Sequence, residues 1–132
     1  MEEHLREKPY PFQAHLGFEI TEWSEGFCRV EQPVGDHLGN RYGIPHGGVY
    51  ATLLDTAMGF GVCYTGKPEE VLLAMTLSLN VQYLSVAKGT LLIAEGRRTG
   101  GGRSTQFAEG EIHDDTGALI ATATAVFRIR GS

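Results

Sequence analysis

Asp55 is the one carboxylate between Tyr42 and Lys67, a stretch that holds no Lys or Arg and is otherwise mostly apolar or small. A lone carboxylate in such surroundings is costly unless it is paired, so it is either tied down by hydrogen bonds or serves a reaction. The same stretch is opened by His46-Gly47-Gly48, with Asn40 and Gly43 just before it. If a helix starts there, its first N–H groups lack partners within the helix. Glycines without side chains then let a substrate oxygen approach those donors. A carboxylate base or nucleophile facing a polarised carbonyl is the chemistry this set suggests. Asp55 would stand about 12 Å along the helix axis from Gly47. The two act on one atom only if the substrate spans that gap or a second subunit lays its helix antiparallel alongside. A two-fold dimer would do the latter, bringing Gly47 of one chain towards Asp55 of the other.

The elements that must position these residues are legible from periodicity. From His46 to Cys63, Val49, Leu53, Ala57 and Phe60 recur at spacings of three and four, which predicts a helix against a core. Ala51, Thr52, Met58, Gly59 and Val62 make the opposite face hardly polar, so the helix is placed centrally, ending by Gly66 and Pro68. Before it, Pro11 to Leu16 reads as a short helix stopped at Gly17. Phe18 to Trp23 and Phe27 to Pro33 read as a hairpin turning at Ser24-Glu25-Gly26, with Ile20, Phe27 and Val30 inward. Gly35 to Pro45 is loop.

After the helix, Met75, Leu77, Leu79, Val81 and Tyr83 alternate with Thr76, Ser78, Asn80 and Gln82, predicting a strand with one core face and one polar face. Thr90 to Arg98, Ser104 to His113 and Ala118 to Arg130 supply three more strands, separated by Gly100-Gly101-Gly102 and by Asp114-Asp115-Thr116-Gly117. Two strands, a long helix and four strands predict an α+β fold, an antiparallel sheet curled around one central helix in a single domain over 1–132.

A chain of 132 residues with a formal charge of −5 has no basic excess for gripping nucleic acid. Cys28 and Cys63 stand without metal-ligand spacing and read as reduced, so neither a disulfide framework nor a metal site is implied. The charged Met1-Glu2-Glu3-His4 does not resemble a secretory signal, and the longest weakly charged stretch carries Asp55 and several glycines rather than a membrane span. A cytoplasmic protein with no membrane partner is expected.

Together, the Pro-Phe-x-x-x-Leu-Gly opening at Pro11, the Asn-x-x-Gly-x-x-His-Gly-Gly-x-x-x-x-Leu-x-Asp core from Asn40 to Asp55, the strand from Met75 to Leu84 and Gly102-Arg103-Ser104 resemble the hotdog-fold acyl-CoA thioesterases. The branch is that of the phenylacetate-pathway enzymes, and the resemblance covers nearly the whole chain. It implies hydrolysis of an acyl-CoA to free acid and coenzyme A, with no metal or redox cofactor. Asp55 would be general base or nucleophile, and the Gly47 amide would polarise the carbonyl with support from His46 and Asn40. Thr76 would help orient the water. The resemblance also implies a homodimer with active sites at its interface, and often a dimer of dimers. Arg97, Arg98 and Arg103 form the one basic cluster, and with Gly48, Gly102 and Ser104 they would suit substrate, the coenzyme A phosphates above all.

Each residue also has a plain reading. Asp55 could be held structurally, His46 could only cap the helix, Asn40 could be a turn residue, and the glycines could serve packing. The arginines could line an ordinary solvated hairpin end. A hotdog hydratase or dehydratase, or a protein that binds acyl-CoA without cleaving it, are the alternative functions. The acyl group is not legible: aryl-acetyl, hydroxylated aromatic, short and medium chains all fit.

Overall fold

The computed structural model describes residues 1–131. Six strands form one antiparallel sheet: β1 (Glu19–Ser24), β2 (Phe27–Pro33), β3 (Leu72–Tyr83), β4 (Leu91–Gly101), β5 (Thr105–Asp114) and β6 (Leu119–Gly131). Their order is β1-β2-β4-β5-β6-β3, which leaves β1 and β3 at the edges. A short helix, α1 (Pro11–Leu16), precedes the sheet, and the 17-residue α2 (Gly47–Cys63) crosses one face of it. Gly17 ends α1 in the left-handed region at φ 91°, as a residue without Cβ can do cheaply. This is the predicted α+β arrangement, a curled antiparallel sheet with one main helix.

The core lies between α2 and the sheet. Leu53, Leu54, Ala57, Met58 and Val62 from the helix meet Cys28, Val30, Leu92, Ala94, Ile112 and Phe127 from the strands. Two glycines let the layers approach closely. A Cβ on Gly96 of β4 would lie 2.5 Å from the Ala57 carbonyl carbon and the Met58 nitrogen, and one on Gly61 would lie 3.2 Å from the Gly96 oxygen. The helix backbone thus rests almost directly on the strand backbone. At the helix end, Trp23 of β1 donates its indole N–H to the Phe60 carbonyl at 2.7 Å, satisfying one of the last-turn acceptors that a helix leaves open.

Three expectations need correction. The buried helix face includes Met58 and Val62, while Phe60 is only half-buried, because the contact stripe follows the sheet rather than the Val49–Leu53–Ala57–Phe60 line. Phe27 faces outward under the guanidinium groups of Arg29 and Arg97, and the inward residues of β2 are Cys28, Val30 and Gln32. Most consequential, β3 carries a bulge: Thr76 pairs with Phe127 and Ser78 with Val126, so Leu77 has no opposite residue. The bulge reverses the facing of everything on one side of it. Thr76 therefore points at the helix, whereas Met75 and Leu77 are 58% and 54% exposed.

Candidate active site

α2 begins with an unusual cap. His46 stands at the N-cap, and its Nδ1 accepts from the Gly48 N–H at 2.8 Å. That role leaves Nδ1 without a proton, so a neutral ring carries its proton on Nε2. The His46 carbonyl accepts from Val49 N–H at 2.9 Å. Gly48 and Val49 are thereby satisfied, and the Gly47 N–H is the first-turn donor that remains at this helix start. The Gly47 carbonyl is fixed from outside the helix by the Tyr83 hydroxyl, which donates to it at 2.9 Å. The Gly47–Gly48 peptide is thus held at both ends, by Tyr83 on its oxygen and by His46 on its nitrogen. A Cβ on Gly47 would lie 3.2 Å from Tyr83 Cε1, so the tyrosine ring packs closely against this turn.

Asn40 sits just upstream in the loop. Its Oδ1 accepts from Tyr42 N–H at 2.8 Å and Ile44 N–H at 3.4 Å. It therefore shapes the Gly39–Pro45 bend that delivers the chain to the helix, and its amide nitrogen is the part left to reach a ligand.

Asp55 projects from α2 towards the edge strand β3. It is half-buried, and its Oδ1 accepts a 2.6 Å hydrogen bond from the Thr76 hydroxyl. The bulge at Leu77 makes this contact possible, since an unbroken alternation would have put Thr76 with Ser78 and Asn80 on the outer face. One carboxylate oxygen is thus oriented, and the carboxylate opens onto a cavity of about 470 Å³. The cavity runs down the helix past Gly59 and Phe60 to Cys63, with Trp23, Leu5 and Phe127 among its walls. Of the apolar residues that could shape a pocket, Phe60 does so, whereas Val49 and Met58 are spent in the core.

Local electrostatics follow from this enclosure. Burial raises the Tyr10 hydroxyl above its ordinary value; a hydrogen bond with Thr56 opposes the rise, and the Asp55 charge adds to it. Burial pushes the Cys63 thiol up to about 11. Leu5, Tyr10, Trp23, Gly59 and Tyr83 were not found as site residues from sequence. For Leu5 and Tyr10 no local pattern marks a segment that folds back over a helix some 40 residues later, and Trp23 is set by a contact from β1 to the far end of that helix. Gly59 did carry a signal, lying one helical turn beyond Asp55 on the same face.

The basic cluster does not hold together. Arg97 lies on the outer sheet face, 3.8 Å from a Glu95 oxygen and 4.0 Å from one of Glu111. Arg98 points to the other side, where it pairs with Glu25 at 3.1 Å. Neighbouring strand residues face opposite ways, so these two could not share a ligand. Among the described residues no carboxylate pairs with Arg103. The Gly102 N–H is occupied by the Thr105 carbonyl at 2.8 Å, and its carbonyl accepts from the Gln106 side chain. The Arg103 guanidinium and the Ser104 hydroxyl are what this turn can offer an anion. Thr105, Arg128 and Met75 form a row across β5, β6 and β3, so the turn shares the end of the sheet where β3 approaches Asp55.

Among the described residues no group of three or more His, Cys, Asp or Glu side chains could hold a metal ion, and no helix is long and apolar enough to cross a membrane.

Comparison with known proteins agrees with this fold. Residues 42–121 match the model of the thioesterase superfamily. The medium/long-chain acyl-CoA thioesterase YigI of Escherichia coli is 30% identical over 135 residues, covering 90% of this chain and 85% of that protein. The 1,4-dihydroxy-2-naphthoyl-CoA hydrolase of Listeria monocytogenes is 26% identical, covering 89% and 94%. A Bacillus halodurans protein solved with CoA superposes with a TM-score of 0.78 at 29% identity, covering 90% of this chain and 75% of that one. The PaaI protein of the Escherichia coli phenylacetic acid degradation operon shares the fold, with a TM-score of 0.79 at 22% identity over 92% and 85%. The chain belongs to the thioesterase superfamily and is a thioester hydrolase built on the hotdog fold of the PaaI-like proteins.

Proposed function

We propose that this chain hydrolyses an acyl-CoA thioester to the free acid and coenzyme A, with Asp55 as the residue that activates or delivers the nucleophile. The observation that carries the reading is the Asp55 carboxylate, oriented by Thr76 at 2.6 Å and open to a cavity of about 470 Å³. In the general-base route Asp55 takes a proton from water as the water oxygen adds to the thioester carbonyl. The tetrahedral intermediate then collapses, the C–S bond breaks, and the thiolate leaves as coenzyme A and is protonated. In the covalent route the carboxylate itself adds, expels the thiolate and forms an anhydride that water opens.

The carbonyl oxygen is held by the Gly47 N–H, with His46 and Asn40 shaping the turn that presents it. Gly48 contributes through its missing side chain, since its N–H is occupied by His46. Because Gly47 lies two helical turns from Asp55, the donor is the Gly47 of a second copy, which makes the enzyme a homodimer. Support for such pairing comes from β3, a 12-residue edge strand with Leu73, Met75 and Leu77 exposed. Long apolar edges of this kind are stable only when covered. Two such dimers pairing complete the assembly. Arg103 and Ser104 meet the coenzyme A phosphates, whereas Arg97 and Arg98, each already beside carboxylates, are not needed for this.

The test is thiol release from a panel of acyl-CoA thioesters. Asp55→Ala is expected to lower kcat by about 10³-fold or more while the variant still binds coenzyme A. Unchanged turnover in that variant refutes the assignment. A single turnover in isotope-labelled water separates the two routes, because label enters Asp55 only if an anhydride forms.

A further inference from the structure

Gly59 lies one helical turn beyond Asp55, on the helix face that lines the cavity. Glycine is among the least favourable residues inside a helix, so its presence in mid-helix calls for a reason. Packing does not supply one. A Cβ there would lie 3.5 Å from Phe127 Cε1, an ordinary contact, unlike the 3.2 Å approach of Gly61 to the Gly96 carbonyl oxygen. Backbone conformation does not supply one either, since Gly59 is not among the residues with positive φ. What a side chain at this position would take is cavity space, between Asp55 and the apolar walls of Phe60, Trp23 and Leu5.

Resting on the thioesterase reading above, we infer that Gly59 is a specificity-determining residue: its bare Cα keeps open a channel from Asp55 to Cys63 that takes an extended, apolar acyl group. From Asp55 to Cys63 the channel follows the helix for about 12 Å, a length that an acetyl or propionyl group leaves mostly unfilled. The charged side chains lining the cavity, such as Arg6, Glu7, Lys67 and Glu70, belong to the segments before β1 and between α2 and β3. Phe127, whose ring a Cβ on Gly59 would meet, and Phe60 beside it supply the apolar surface that a hydrocarbon tail requires.

The experiment compares kcat/KM for octanoyl-CoA and acetyl-CoA in the native enzyme, Gly59→Ala and Gly59→Leu, with a thermal melt of each. The native enzyme is expected to prefer octanoyl-CoA. The preference should fall about tenfold in Gly59→Ala and about 100-fold in Gly59→Leu, in line with the discrimination available from one to a few methylenes in an apolar pocket. Gly59→Ala should melt higher than the native protein, because the helix gains and nothing is displaced. A preference unchanged within about twofold, equal losses at both chain lengths, or a Gly59→Ala protein that does not fold would each overturn the inference.

If the native protein releases coenzyme A from no thioester, the thioesterase reading fails. The channel is then tested by calorimetric binding of the uncleavable thioethers S-octyl-CoA and S-ethyl-CoA. The same fall in preference is expected in the variants, and an unchanged ratio of dissociation constants overturns the channel independently.

Discussion

Replacing Gly96 by Ala should damage both stability and catalysis, although Gly96 touches no substrate. The new Cβ would stand 2.5 Å from the Ala57 carbonyl carbon and the Met58 nitrogen. That is about 0.9 Å short of ordinary van der Waals contact, and the obstructing atoms are backbone that no rotamer change can move. α2 must therefore lift from β4. Overpacking of this kind costs about 1–3 kcal/mol, and a clash with helix backbone belongs at the upper end of that range. For a domain of this size the melting temperature should fall by roughly 10 °C.

The lift also carries Asp55, three residues before Met58, away from Thr76. Their 2.6 Å hydrogen bond would stretch towards about 3.5 Å, beyond useful geometry, and misplacement on this scale can cost about 10²-fold in kcat. The assays are a thermal melt and thiol release on one preparation, with Gly100→Ala as control. Gly100 lies on the same strand with nothing within 4 Å of its would-be Cβ, so its substitution should leave the melt almost unmoved. A Gly96→Ala enzyme with native melting temperature and native kcat would refute the claim that backbone contact sets the position of the helix.

Two further outcomes are expected. Thr76→Val keeps the shape of the side chain but removes the donor to Asp55; kcat should fall about 10-fold with little change in KM, and steady-state kinetics that move KM instead would point to a binding role. Asp114, with its side chain buried, is held well below the usual carboxylate range, first by the Thr116 hydroxyl and then by the Lys88 N–H. Since its folded pKa is depressed, it contributes stability in full above about pH 4 and loses it as pH falls towards the folded value. Asp114→Ala should accordingly lower the melting temperature at neutral pH and flatten its fall below about pH 4, as followed by melts across a pH series.

What could be read from sequence depended on how local the determining contacts are. The 3.6-residue repeat of α2, the alternations in β2 to β6 and the Gly-rich turns lie within single segments, and they located every strand and the main helix. Asp55 and the glycines of the first helical turn were legible for the same reason, as a lone charge and two missing side chains in one stretch. Failures came where a distant partner decides. The outward turn of Phe27 answers to Arg29 and Arg97 on its own sheet face. The arginine cluster dissolved because Glu25, Glu95 and Glu111 claim its members from three different strands or turns. The cavity was invisible because Leu5 and Tyr10 fold back over a helix that begins some 40 residues later.

Thr76 and Tyr83 are separated by an odd number of positions, and in an uninterrupted strand an odd separation sends two side chains to opposite sides. Yet one steadies the acid in the middle of α2 and the other clamps the peptide at its beginning. The extra residue at Leu77 reconciles them, so a single strand braces both halves of the proposed reaction centre. Inserting one residue between Val126 and Phe127 of β6 would give Leu77 an opposite residue and, by that very repair, turn one of the two hydroxyls away from the helix.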